Sequence, residues 1–322
     1  MKLEFGTLRL SATDLANHLA CRHLTVLDRG VAEGLWKAPD WFRPEAALLR
    51  ERGLEHERAY IARLEREGRR ITRLDEEEEG RRALERTLAA MFAGDPVIAQ
   101  ATLAGGRWLG RADVLLRVER KSGLGDWSYE PLDTKLARET KAGALLQLCL
   151  YAELLGEMQG VVPDSMHVVP RRPDFPLETY RVEDYVAYYR LVRRRLETAV
   201  DEGRSGERRA GEGEGADDGS AAATYPEPVP HCDICRWWPR CDKQRRADDH
   251  LSLVAGISRL QTRELQSRRV GTLASLAVEP LPIAWKPARG AREGYGRVRD
   301  GPPEEILEPA LVHVGIRLEV EK

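Results

Sequence analysis

The stretch Trp108-Leu109-Gly110-Arg111-Ala112-Asp113-Val114-Leu115-Leu116-Arg117-Val118 and, nine residues on, Ser128-Tyr129-Glu130-Pro131-Leu132-Asp133-Thr134-Lys135 decides the fold. Both runs read as strands. A third strand at 97–103 precedes them across Gly105-Gly106, and Lys121-Ser122-Gly123-Leu124-Gly125 breaks the chain between them. Working outward, helices are expected from Ser11 to about Cys21, over 44–67 and over 81–92. A helix at 140–157 follows the strand block, then strands at 165–169 and 177–182 and a helix from 183 to about 202. Apolar stripes are expected through Leu15 and Leu19 with His18, through Leu48, Leu49, Tyr60, Ile61 and Leu64, and through Leu145, Leu148, Cys149, Ala152 and Leu155. The order α-βββ-α-β predicts an α/β domain with a mixed central sheet flanked by helices, not a run of βαβ units.

The chain has 322 residues, room for about two domains. Its 51 basic and 53 acidic residues leave a net charge of −2, which excludes a globally basic nucleic-acid coat but not a local basic track beside an acidic centre. A 42% hydrophobic and 32% charged composition is that of a soluble globular protein. No apolar run approaches the ~20 residues of a membrane helix, since even 142–155 is broken by Gly143 and Gln147, so no membrane partner is expected. The first residues lack a signal-peptide apolar core, and the expected location is cytoplasmic. Five cysteines in a reducing compartment point to metal or cluster chemistry rather than a disulfide framework. The acidic run at 75–79 suits the start of a helix, where the dipole is positive.

Side chains alternate across a strand, so Asp133 and Lys135 project from one face. If the two strands form a hairpin, Asp113 reaches the same face. Two carboxylates beside an ammonium can hold a hard divalent cation and a phosphate oxygen together. The cation would acidify a water, while Lys135 orients the nucleophile or stabilises charge. An Asp-x-Lys alone is weak, because surface ion pairs produce it often. Its neighbourhood is more specific: Gln147 and Tyr151 lie at i and i+4 of the next helix, hence on one face, and Gly53-Leu54-Glu55-His56-Glu57 places a histidine in the first long helix.

In order and spacing, Gly-x-x-His, Gly-x-x-Asp, Asp-x-Lys and Gln-x-x-x-Tyr resemble the RecB-like nuclease family of the PD-(D/E)XK superfamily, over about residues 11–245. The resemblance implies a restriction-endonuclease-like core. It implies Mg²⁺ or Mn²⁺ held by His56, Asp113, Asp133 and the Thr134 backbone carbonyl, with Lys135 as catalytic lysine. Gln147 and Tyr151 would position DNA or active-site groups. Lys141, Arg171-Arg172 and Arg193-Arg194-Arg195 could follow a DNA backbone, or simply form solvated faces.

Cys232-x2-Cys235-x5-Cys241 supplies three soft ligands and needs a fourth from elsewhere. His231 is adjacent. An N-terminal cysteine plus a C-terminal trio is, however, the arrangement of iron–sulfur members of this family, including CRISPR-associated and AddB-type exonucleases. The resemblance therefore implies Cys21 as the fourth ligand of a [4Fe–4S] cluster; spacing alone does not separate a cluster from zinc. Trp237-Trp238 could shield a cluster or be ordinary packing. Cys149 falls on an apolar stripe and reads as a buried thiol.

The expected organisation is a nuclease core over 1–201, a linker or surface loop over 202–224, the cysteine segment over 225–249, a helix–hairpin–helix-like module over 250–280 and a weakly patterned tail over 281–322. The module rests on short helical patterns around Gly256 and Gly271. The resemblance implies a metal-dependent deoxyribonuclease, an exonuclease on single-stranded or end-containing DNA, serving repair, recombination or CRISPR-type processing. A helicase or a second nuclease domain would be its partner. The alternative is a non-catalytic nucleic-acid-binding or scaffold module with a structural zinc site.

Overall fold

A computed structural model describes residues 1–4, 6–40, 44–74, 80–206 and 224–280. The acidic run at 75–79, most of the expected linker and the tail lie outside the described residues. The chain divides into two compact units, Met1–Thr224 and Tyr225–Lys322.

The first unit is α/β, with a mixed eight-stranded sheet and helices on both faces. Its elements are β1 (Lys2–Glu4), β2 (Thr7–Ser11), α1 (Ala12–Ala20), α2 (Arg22–Ala32), α3 (Pro44–Arg66), β3 (Ile71–Arg73) and α4 (Gly80–Phe92). Then come β4 (Val97–Gly105), β5 (Trp108–Val118), β6 (Ser128–Lys135), α5 (Ala142–Gln159), β7 (Ser165–Pro170), β8 (Glu178–Arg181) and α6 (Glu183–Gly206). The expected linker start at 202–206 is therefore the last turn of α6. Strands run β1-β2-β5-β6-β7-β8, and β4 lies on the other edge of β5 with β3 beyond it. β2 pairs parallel with β5, β6 parallel with β7; β4–β5, β5–β6 and β7–β8 are antiparallel.

One edge of β5 is shared between two partners. Leu10 and Ser11 of β2 pair with Trp108 and Leu109, while β6 pairs only with Val114–Val118. Between these ladders Gly110, Arg111 and Ala112 pair with β4 alone. Asp113, opposite Gln100, is skipped by both ladders. The sheet forks there. The alternation of side chains slips at the same point: Ala112 and Leu115, three apart, both join the core cluster that contains α5, whereas Val114 joins the one built on α3. Gln100 takes a left-handed backbone, φ 60°, which accomplishes the slip on β4.

α5 is apolar almost all round and is correspondingly buried, carrying Leu146, Leu148, Leu150, Leu154 and Leu155 in the core. Each such side chain contributes roughly 1.5–3 kcal/mol. The α3 side is smaller, with Tyr60, Ile61 and Leu64 against Val97, Val114, Leu132 and Val169. Three expected core leucines are exposed instead: Leu19 at 41%, Leu48 at 51% and Leu49 at 60%. The buried arc of α1 runs through Ala12, Asp14, Leu15 and His18, so Leu19 falls just past it. The turns of α3 that carry Leu48 and Leu49 stay exposed, and burial on this helix begins at His56.

The second unit holds a 3₁₀ turn (Pro230–Ile234), α7 (Trp238–Ala247), a 3₁₀ turn (Leu251–Leu253), α8 (Arg259–Ser267) and α9 (Leu273–Ala277). Leu251, Val254, Leu265, Val270 and Leu276 form its core. Helices flank Gly271, but only a short 3₁₀ turn, capped by Val254, precedes Gly256, which has φ 74°. No helix among the described residues is long and apolar enough to cross a membrane.

The fork depends on close packing at Gly110, where a Cβ would stand 2.6 Å from Tyr151 Cε1. Gly110→Ala is expected to lower unfolding stability by about 1–3 kcal/mol through overpacking. Gly143→Ala, which meets nothing within 4 Å near the start of α5, should leave it equal or higher. Urea unfolding checks both; equal effects would discount the packing at Gly110.

Candidate active site

At the fork, side chains replace the missing strand pairing. Asp113 Oδ2 accepts hydrogen bonds from the Thr134 backbone N–H at 2.7 Å and from its hydroxyl at 2.8 Å. On the β5 side, the Arg111 backbone bonds the Tyr151 hydroxyl. Tyr151, 4% exposed, thus fills the fork from α5 and rests on Gly110.

Asp133 lies at the other lip, 1% exposed. Its Oδ1 accepts from Gln147 Nε2 at 2.7 Å, and its Oδ2 stands 2.5 Å from Lys135 Nζ, an ion pair not aligned as a hydrogen bond. Gln147 also donates to the Tyr151 hydroxyl at 3.1 Å and accepts from Lys135 Nζ at 3.3 Å. One glutamine thereby holds the carboxylate, the ammonium and the phenol in a fixed relation. The i, i+4 spacing of Gln147 and Tyr151 makes this possible.

Burial pushes the Asp133 carboxyl up to about 7, aided by the negative charges of Asp113 and Glu57 and opposed by Lys135. Burial, then the charges of Asp133 and Asp113, raises the Tyr151 hydroxyl above the ordinary phenol range, so it keeps its proton. A buried carboxylate with a second one beside it and a single ammonium is short of positive charge. The donor set suits a hard cation.

His56 is 8% exposed on α3. Its Nε2 lies 3.2 Å from the Val169 carbonyl, and its ring stacks on Phe175 at 5.3 Å. A carbonyl only accepts, so Nε2 is the donor in this bond. The structure thus brings Asp133, Lys135, Gln147 and Tyr151 into one hydrogen-bonded and ion-paired group; Asp113, bonded to Thr134, acts on it through its charge, and His56 lies on the α3 face of the sheet beside β7, bonded to neither. Among the described residues, no three His, Cys, Asp or Glu side chains gather as a ready-made metal-binding group.

Two residues escape the sequence reading. Glu57, 8% exposed beside His56, adds its charge to Asp133 and accepts a hydrogen bond from Gln100 Nε2. The signal for Gln100 is a lone amide in a strand that is apolar apart from Thr102. In the sequence, Glu57 is only one more glutamate on a charged helix.

In the second unit, Cys232, Cys235 and Cys241 are partly exposed around the first 3₁₀ turn and the start of α7, and the Val229 N–H donates to Cys232 Sγ at 3.4 Å. Trp237 beside them is buried, and Trp238 carries Arg245 over its ring at 4.6 Å. Cys21 belongs to the first unit, where it links α1 to α2. Cys149 is buried, Sγ 3.9 Å from Met166 Sδ, and burial pushes its thiol up to about 12. Arg193 is engaged by Glu153 and Glu197 and lies over Trp108, and Lys141 is exposed at the start of α5. Comparison with protein-family models and with curated proteins yields no match to this chain.

The raised Asp133 carboxyl has a signed consequence. Its folded value lies above the unfolded one, so the folded state binds the extra proton and stability falls as pH rises from about 4 to about 7. In chelator, Asp133→Asn should therefore be more stable than the parent at pH 8 by roughly 2–4 kcal/mol, with the advantage vanishing near pH 4. Melting curves across that range check it. A constant difference would mean that Asp133 is not held protonated by burial.

Proposed function

We propose that this chain is a metal-dependent DNA nuclease built on a restriction-endonuclease-like core of the RecB-like type. The observation that carries the reading is Asp133: buried, paired at 2.5 Å with the Lys135 ammonium, and lodged beside Asp113 at a fork in the sheet. A structural ion pair would sit in solvent or be neutral in sum. This one has an excess of negative charge that a divalent cation and a phosphodiester together would complete.

Asp113, Asp133, the Thr134 carbonyl and His56 would hold Mg²⁺ or Mn²⁺. Bound there, such an ion would supply an acidified water near neutral pH and would offset charge on a scissile phosphate. Lys135, held beside Asp133 and Gln147, would stabilise the charge that builds on an attacked phosphate. Gln147 keeps Lys135 and Asp133 from drifting apart, because both of its amide ends are committed to them. Tyr151, protonated throughout, holds the Gln147 amide against β5 and has its own proton to donate.

A chelator-sensitive nuclease assay tests the reading. Asp113→Ala and Asp133→Ala should lower cleavage of single-stranded DNA by at least ~10²–10³-fold, and Lys135→Ala comparably. Mn²⁺ should raise the melting temperature of the parent and of Lys135→Ala but not of Asp133→Ala. Normal cleavage by Asp133→Ala would overturn the assignment.

The cysteines are the second part of the proposal. Cys21, Cys232, Cys235 and Cys241 are taken as ligands of one [4Fe–4S] cluster, with zinc as the competing occupant. Anaerobically purified protein should be brown and contain about four irons and four sulfides per chain. Colourless protein with one zinc would reject the cluster.

A further inference from the structure

Beside the site lies a cavity of about 790 Å³ lined by His56, Leu136, Arg138, Arg171, Pro173 and Phe175, together with Arg172. Its position follows from the strands. Leu136 directly follows Lys135, and Pro170, the β7 partner of Lys135, directly precedes Arg171. The cavity therefore opens immediately beyond the Asp133–Lys135 pair along the chain direction of β6.

Its chemistry is two-sided. The charged side chains of the lining are arginines, with no carboxylate among them, and the remainder is apolar or aromatic. Arg172 is a brace: its Nε donates to the Arg138 carbonyl at 2.7 Å and its guanidinium pairs with Glu178 at 3.0 Å. Arg138 and Arg171 are exposed, and among the described residues neither makes an ion pair. Phe175 is pinned by its stack on His56, by Tyr60 at 6.0 Å and by Arg63 over its ring at 5.9 Å. The chain reaches this arrangement through two consecutive non-glycine residues with left-handed backbone, Asp174 at φ 63° and Phe175 at φ 44°. Such a conformation persists only where the surroundings enforce it. Here Arg63 donates to the Asp174 carbonyl, and the Arg171 N–H to the Ala137 carbonyl at 3.3 Å.

A cationic rim over an aromatic, apolar floor is the chemistry that recognises an unpaired nucleotide: phosphate on the arginines, base against the floor. We propose that this cavity is a nucleotide subsite that holds the unit of single-stranded DNA next to the scissile phosphate, with its phosphodiester between Arg138 and Arg171 and its base against Phe175 and Leu136. The inference rests on the nuclease reading for which phosphate is cut, but not for the binding itself. A base in a duplex is stacked and paired, so its face is closed to such a floor. The subsite thereby selects single strands.

The test separates the two. Binding of fluorescein-labelled dT15 is measured by anisotropy in EDTA, across a salt series, with cleavage measured separately in Mn²⁺. Arg138→Ala/Arg171→Ala should weaken binding about tenfold or more at low salt and reduce the log–log salt slope by about 1, whereas Arg190→Ala, an exposed arginine on α6, should change neither. Phe175→Leu keeps apolar volume but removes the ring, and should weaken dT15 binding several-fold with the salt slope unchanged. In the cleavage assay, the double variant should raise KM with kcat within about twofold of the parent. Unchanged affinity and slope in the double variant would overturn the subsite even if cleavage is robust. So would a blunt duplex that competes as well as dT15. Loss of binding in the double variant, with no metal-dependent cleavage by the parent, would uphold the subsite and overturn the nuclease reading.

Discussion

Everything at the centre of the first unit depends on one carboxylate taking over from a strand. β6 leaves β5 at Leu132, and the backbone N–H of Thr134 would be stranded there without Asp113, which receives it together with the Thr134 hydroxyl. A buried amide without an acceptor is costly, so the bond stabilises the fork as well as aiming Asp113. Because β6 still pairs with β7 on its far side, Asp133 and Lys135 remain on a rigid element while their near side is open to α5. Rigid support and an open edge are both needed for a site that must hold charge in fixed places.

That arrangement is unfavourable on its own. Asp113 and Glu57 both repel the buried Asp133, and Lys135 compensates only in part. Gln147 and Gln100 stiffen the acidic groups without neutralising them, since an amide brings dipoles rather than charge. The fold tolerates the imbalance because α5 and the sheet bury a large apolar area around it. Local rules broken at one place, with the surroundings compensating, are the ordinary signature of a site under functional selection.

The elements that position the site are legible in the sequence. β5 and β6 begin and end where alternation and the Gly-rich break place them, and α5 differs from its expected span by two residues at each end. Long, strongly patterned segments carry their own signal. β1 and β3, three residues each, and the five-residue β2 are too short for a period, and α2, with Thr25, Val26, Gly30 and Val31, has weak helix formers. The grouping of Asp113, Asp133, Lys135, Gln147 and Tyr151 can be read because i, i+2 on a strand and i, i+4 on a helix are local geometry. The fork cannot, because it arises from β2 and β6, far apart in sequence, competing for one edge. Glu57 is hidden for the same reason: its partner Gln100 is 43 residues away.

The fork also alters how this sheet breathes. Elsewhere, exposing a backbone amide means unzipping a strand from its neighbour, which is cooperative and rare. The amides of Arg111 and Thr134 are instead tied to single side chains on α5 and β5, so one rotamer change at Tyr151 or Asp113 frees either of them. Opening at these two amides is therefore a side-chain event centred on the candidate site. It leaves the ladders on both sides closed.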